Sequence, residues 1–126
     1  MNRILLTLID DNILFRKGLA ALLAQQADLN IVEETGSNKE IARSCIVLEP
    51  DVVVMDLRLS GTSGLDVAAQ IKHRHVQIKC LILTTSRAEE YVRTALRIGV
   101  DGYILKDASV EELLIAIHSV AKGKKY

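Results

Sequence analysis

The chain has a single proline, Pro50, and no stretch rich in proline, glycine or serine, so nothing in its 126 residues marks a linker between domains. No internal repeat or low-complexity tract interrupts it, and its length suits one ordinary domain. Its two cysteines, Cys45 and Cys80, lack CxxC spacing and sit in apolar stretches. They read as reduced core residues, which argues against a disulfide framework or a zinc site. Net charge is missing as well, because 16 Lys and Arg balance 16 Asp and Glu. No overall field draws such a chain to nucleic acid or to an anionic membrane, so neither is expected as a direct partner. Long hydrophobic runs are also absent. The run after Arg3 ends at Asp10, too short for a signal peptide or a membrane span, and a cytoplasmic protein is expected.

Apolar residues make up 49% and charged residues 25%, a balance that disordered chains do not have. Four runs are short and continuously apolar: Ile4 to Ile9, Val52 to Met55, Leu81 to Leu83 and Tyr103 to Leu105. That is the pattern of strands buried on both faces, as in a parallel sheet. A fifth candidate, Leu29 to Val32, runs into the polar Glu33, Glu34 and Thr35 and suits an outer strand. Stretches of helical periodicity lie between. Four open with serine followed three residues later by an acid: Ser37/Glu40, Ser63/Asp66, Ser86/Glu89 and Ser109/Glu112. Gly99 and Gly123 suit helix C-caps. In the last helix Val110, Leu113, Leu114, Ile117 and Ala121 form one stripe expected to pack on the sheet. Strand and helix alternate five times, so the expected architecture is α/β, a doubly wound parallel sheet.

In such a sheet ligands bind outside the carboxyl ends of the strands. Asp10 and Asp11 follow the first strand, Asp56 the third, Thr84 the fourth and Lys106 the fifth. Each alone has a bland reading: Asp11 as a helix cap, Thr84 as a strand end, Lys106 as a solvated turn residue. Together they put three carboxylates, a hydroxyl and an ammonium on one edge. Carboxylates packed side by side repel one another, so a metal and a lysine are the natural remedies. Oxygen ligands without nearby His or Cys favour a hard cation, and a partly built site with room for water and phosphate favours Mg²⁺ over Ca²⁺, with Mn²⁺ as a substitute.

The order of Asp10-Asp11, Asp56 in Val-Val-Val-Met-Asp-Leu, Thr84 in Leu-Ile-Leu-Thr-Thr-Ser and Lys106 in Gly-Tyr-Ile-Leu-Lys-Asp resembles the receiver domains of two-component response regulators. Essentially the whole chain carries the resemblance. Gly-Tyr-Ile-Leu-Lys-Asp and the closing Ala-Lys-Gly-Lys-Lys-Tyr look most like the NarL/FixJ (LuxR-type) branch, whose helix-turn-helix output domain is not expected within these residues. The resemblance implies a flavodoxin-like sheet of order 2-1-3-4-5 with five helices on both faces. It also implies that Asp56 is the phosphoacceptor, and that Asp11, Asp56 and the Arg58 backbone carbonyl ligate Mg²⁺ while Asp10 acts through water. Lys106 and Thr84 then stabilise the phosphoryl oxygens, Thr84 and Tyr103 form the switch, and Arg58 and Ser86 occupy positions that tune loss of the phosphoryl group. A sensor histidine kinase is the implied donor, an output domain of a longer chain the implied target, and a homodimer a possible product.

One departure from the family is Ser60, where many receivers have proline. Rival readings are an aspartyl phosphatase or phosphotransferase, which would want a second acid where Arg58 stands, a degenerate receiver that only binds, and a nucleotide-binding domain, for which Ile9-Asp10-Asp11-Asn12 lacks a glycine-rich cradle. His73, Arg74 and His75 read as cations at a helix C-terminus, His118 as structural or solvated, and Lys122, Lys124 and Lys125 as a solvated end. Ile13, Leu14, Phe15, Leu19, Leu22 and Leu23 surround more of the first helix than one packing stripe needs, and Ile115 lies off the stripe of the last. Some of them are expected at the surface.

Overall fold

The computed structural model describes residues 3–36, 47–59 and 61–126. Cys45, Ser60 and the Ser37/Glu40 helix start lie outside the described residues. The five main strands are β1 (Ile4–Ile9), β2 (Leu29–Thr35), β3 (Val52–Met55), β4 (Lys79–Thr84) and β5 (Gly102–Leu105). They form one parallel sheet of order β2-β1-β3-β4-β5. A two-residue-armed hairpin, Arg58–Leu59 with Thr62–Ser63, stands apart just after β3. Four helices are described: α1 (Ile13–Ala24), α2 (Gly64–Arg74), α3 (Glu89–Ile98) and α4 (Val110–Ala121). The expected sheet is therefore present, and β2 runs three residues further than its apolar stretch. The extra residues, Glu33 to Thr35, pair with Thr7 to Ile9 of β1.

Alternation along each strand divides the core between the two faces. Val52 and Val54 join Leu6, Leu8, Leu81, Leu83 and Ile104 beneath α1 and α4. Val53 and Met55 join Ile9, Cys80 and Ile82 beneath α2 and α3. Both faces of the central strands are thus apolar, which is why their sequences show no polar alternation. The face of α4 that meets the sheet is Leu113, Ala116, Ile117 and Val120. Of the expected stripe, Leu113 and Ile117 are buried and Leu114 and Ala121 pack against the same cluster; the correction is Val110, which is 38% exposed. On α1, Ile13 and Leu14 are 64% and 85% exposed and Leu23 is buried, so the surplus apolar residues do face outward.

Helix ends follow their local chemistry with one exception. Ser109 Oγ accepts from Glu112 N at 3.1 Å, and Ser63 Oγ from Leu65 N at 3.1 Å. Ser86 does not cap α3. That helix begins at Glu89 with Ala88 at the N-cap, and Ser86 Oγ instead accepts from Ala88 N at 3.2 Å. Gly99 closes α3 at φ 91°, a left-handed conformation that suits glycine, and Gly123 at φ 87° follows α4.

Two polar nodes outside the sheet edge tie the layers together. His118 Nε2 meets Asp28 Oδ2 and its Nδ1 meets the Leu114 carbonyl, fastening α4 to the turn before β2. Asp101, buried at the start of β5, takes Lys72 Nζ at 2.9 Å and Cys80 N at 2.9 Å. The tail is more than a solvated end, because Tyr126 N donates to Asp101 O at 2.9 Å and Lys125 Nζ to Val100 O at 3.2 Å.

At the start of α2 the helix backbone touches the chain leaving β3. A Cβ placed on Gly64 would lie 2.0 Å from the Asp56 carbonyl oxygen and 3.2 Å from Leu57 Cα. Gly64→Ala must push backbone aside, and unfolding in denaturant is expected to show a loss of about 1–3 kcal/mol. Stability indistinguishable from the wild type would contradict this packing.

The hydrogen bond to Asp28 raises the pKa of His118, reinforced by the Leu114 carbonyl, while the same contact lowers the pKa of Asp28. A raised histidine contributes fully below its unfolded value of about 6.5 and loses its contribution as pH climbs through the folded value. A lowered aspartate contributes above about 3.9 and loses it as pH falls through the folded value. The stability gap between wild type and His118→Gln is therefore widest between about pH 4 and 6.5 and narrows above that range. Denaturant midpoints across pH 4 to 9 read this directly, and a constant gap would sink the assignment.

Candidate functional site

Parallel register brings the polar residues together. Ile9 pairs with Met55, Met55 with Ile82, and Thr84 with Leu105, so the residues that follow these strands arrive at one edge. Asp56 N donates to Ile9 O at 3.0 Å and Lys106 N to Thr84 O at 2.7 Å, carrying the ladders one residue past the strand ends. The chain runs from β1 to β2 on one side and from β2 across to β3 on the other, so Asp10 and Asp56 flank the crevice where the winding reverses.

Carboxylate oxygens of Asp10, Asp11 and Asp56 all lie within 4.8 Å of one another. Asp10 is 5% exposed, Asp56 partly buried, and Asp11 open to solvent. Both oxygens of Asp10 are engaged: Oδ1 accepts from Asn12 N at 2.9 Å and Oδ2 from Lys106 Nζ at 2.8 Å. The same ammonium donates to Asp56 Oδ2 at 3.2 Å. Its ion also sits 4.2 Å from the centroid of the Phe15 ring, an additional favourable contact for a cation. Burial by itself would lower the pKa of Lys106. The Asp10 hydrogen bond and the charges of Asp10 and Asp56 outweigh it, so the net direction is upward and the group is held as ammonium.

Mg–O bonds of about 2.1 Å separate opposite ligands of one ion by about 4.2 Å. Three carboxylates already within 4.8 Å fit such an ion with small adjustments, and an all-oxygen donor set suits a hard cation. Each Asp10 oxygen already accepts one protein donor, whereas Asp11 is open to solvent. Arg58 begins the short hairpin and its N–H faces Asp56 Oδ1 at 3.4 Å.

Thr84 is 2% exposed, and its Oγ1 accepts from Ser86 N at 3.1 Å. Tyr103, on the neighbouring strand, donates its hydroxyl to Ser86 O at 3.0 Å, and burial raises its pKa. Ser86 therefore joins Thr84 to Tyr103, a connection that its expected role as a helix cap did not include. Asp10, Asp11, Asp56 and Lys106 converge directly, Arg58 borders them, and Thr84, Ser86 and Tyr103 form an adjoining chain.

Several contributors carry no motif of their own. Phe15 was read only as a helix hydrophobe, yet its ring supports Lys106. Gly64 makes room for the Asp56 carbonyl. Arg16 bonds the Asp10 carbonyl through Nη1 at 2.7 Å and Glu34 through Nε at 3.1 Å. A glycine directly after the Ser63 cap of a helix is a signal that could point to close backbone approach, whereas nothing in sequence pairs Arg16 with Glu34.

Known proteins with similar sequences and structures agree with this architecture. The nitrate/nitrite response regulator protein NarL of Escherichia coli K12 is 33% identical over 117 residues, covering 93% of this chain and 54% of that protein. The chain thus spans about half the length of that relative. The signal receiver domain of the response regulator NarL from Mycobacterium tuberculosis superposes with a TM-score of 0.92 at 27% identity, covering 98% of this chain and 100% of that one. A DNA-binding response regulator of the LuxR family from Staphylococcus aureus superposes with a TM-score of 0.86 at 31% identity, covering 93% and 98%. Residues 6–118 match the family described as the response regulator receiver domain, and the chain belongs to that family, among the receivers of NarL/LuxR-type two-component regulators.

Proposed function

We propose that Asp56 accepts a phosphoryl group from the phosphohistidine of a sensor histidine kinase, assisted by Mg²⁺ or, in its place, Mn²⁺. The observation that supports this most is the trio Asp10, Asp11 and Asp56, gathered within 4.8 Å, with Lys106 bonded to both Asp10 and Asp56. Carboxylates as a class are ionised at neutral pH, so such a nucleophile needs no general base. One Asp56 oxygen attacks phosphorus as the P–N bond to the imidazole breaks. The electron pair stays with the ring nitrogen, and an acyl phosphate forms on Asp56.

Asp11, Asp56 and the Arg58 carbonyl would hold the cation, with Asp10 acting through water, and when bound it offsets the charge of nucleophile and phosphoryl oxygens. Lys106 neutralises a further equatorial oxygen, and the Thr84 hydroxyl donates to another. The new group brings negative charge and acceptor oxygens to a place where Thr84 now accepts from Ser86 N. Drawing Thr84 inward disturbs that bond, and Ser86 carries the disturbance to Tyr103 through the carbonyl that the tyrosine hydroxyl now holds. The altered surface around α3, β5 and Tyr103 would control dimerisation or a helix-turn-helix output domain in a longer regulator of transcription. Arg58, beside Asp56, and Ser86, bonded to Thr84, would tune slow hydrolysis of the acyl phosphate. No direct nucleic-acid contact is needed from the receiver. No described helix is long and apolar enough to cross a membrane.

Beryllofluoride with Mg²⁺ mimics the phosphoryl group and is expected to shift the backbone amide resonances of Thr84, Ser86 and Tyr103 in the wild type. Asp56→Asn should give no such shifts. An equal response in that variant would refute Asp56 as the acceptor.

A further inference from the structure

The backbone of Asp10, which leads into Asp11, is gripped from two sides. Asp10 N donates to Thr35 O at 3.0 Å at the end of β2. Its carbonyl accepts from Arg16 Nη1 at 2.7 Å, from the first turns of α1. Arg16 is itself held, because its Nε donates to Glu34 Oε1 at 3.1 Å and Lys17 Nζ approaches the same oxygen at 3.1 Å. The Arg16 side chain is only 12% exposed, so its charge is held largely out of solvent by these partners. Room for it depends on Gly36, where an added Cβ would lie 2.7 Å from Arg16 Nη1 and 3.4 Å from Asp11 Cα.

We infer that Arg16, backed by Glu34, is a positioning residue that fixes the Asp10–Asp11 turn in the geometry needed to bind a divalent cation; this rests on the metal-assisted reading of the site given above. A guanidinium suits the task because its planar fork serves a carbonyl and a carboxylate at once. Its bonds to the Asp10 carbonyl and to Glu34 act on the turn through its backbone. Groups that orient metal ligands from behind typically change affinity by about 10- to 100-fold when removed. An arginine that merely staples α1 to β2 would change thermal stability and leave cation affinity of the folded protein alone.

The test is calorimetric titration of Mg²⁺ into the full chain, at a temperature where circular dichroism shows each variant folded. Arg16→Met is expected to weaken binding by about tenfold or more, and Arg16→Lys, which keeps the charge without the fork, by an intermediate factor. Glu34→Gln should weaken it less, and adding that change to Arg16→Met should cost nothing further, since both act through one contact. Folded Arg16→Met with an affinity within about twofold of the wild type overturns the inference, and if that variant does not fold, unaltered affinity in Glu34→Gln overturns it instead. A wild type that binds no Mg²⁺ overturns the metal reading of the site and this inference with it.

Discussion

The ammonium of Lys106 bonds to Asp10 and Asp56 together, and the arrangement of the sheet edge depends on that shared contact. Three carboxylates cannot crowd one rim without opposing charge, and a lysine cannot be drawn out of water without acids to receive it. Each half makes the other tolerable. The pairing reaches across 96 residues for Asp10 and 50 for Asp56, so it forms only when β1, β3 and β5 hold their relative heights. A shift of register on any of them would separate the partners. Phe15 then supplies a face for the same cation, and apolar residues of α1 and α4 line a pocket beside Lys106.

Under the proposed function, this dependence would let a local change at Asp56 be felt further off. Lys106 follows β5, and Tyr103 lies three residues before it on the same strand, already bonded to the loop that carries Ser86 and Thr84. In the proposed reaction a group added at Asp56 would act on Lys106 and Thr84 at once, so two routes from the rim would meet at β5. Asp101, where that strand begins, is bonded to Lys72 of α2 and to the chain end at Tyr126. The strand that the proposed switch would act on is thus also the one beside which Tyr126 is bonded.

Much of this was legible from residue order because the physics is local to strand ends. Runs such as Val52–Met55 are continuously apolar since both faces of β3 are covered, and the first polar residue after such a run must emerge at the rim. The active edge could therefore be assembled without knowing any contact. Other features escaped. α4 is apolar around much of its circumference, from Leu113 to Ile117, so periodicity alone did not set which side meets the sheet, and the small Ala116 turned out to face inward. Ser86 resembled a cap, but its backbone is engaged by Thr84 and Tyr103, and α3 starts two residues beyond Arg87 at Glu89. Arg16 is illegible in sequence for a different reason: its acceptors are a backbone carbonyl and a glutamate 18 residues away, neither of which leaves a pattern.

The shared ammonium can be examined directly by following the ¹³Cε resonance of Lys106 through a pH titration of metal-free protein. The account predicts a pKa above the ordinary lysine value of 10.5, falling back when Asp56 is replaced by asparagine, because one of the two charges that raise it is gone. A Lys106 that titrates at or below the ordinary value, or that ignores the loss of Asp56, would contradict the claim that this one cation holds the acidic edge together.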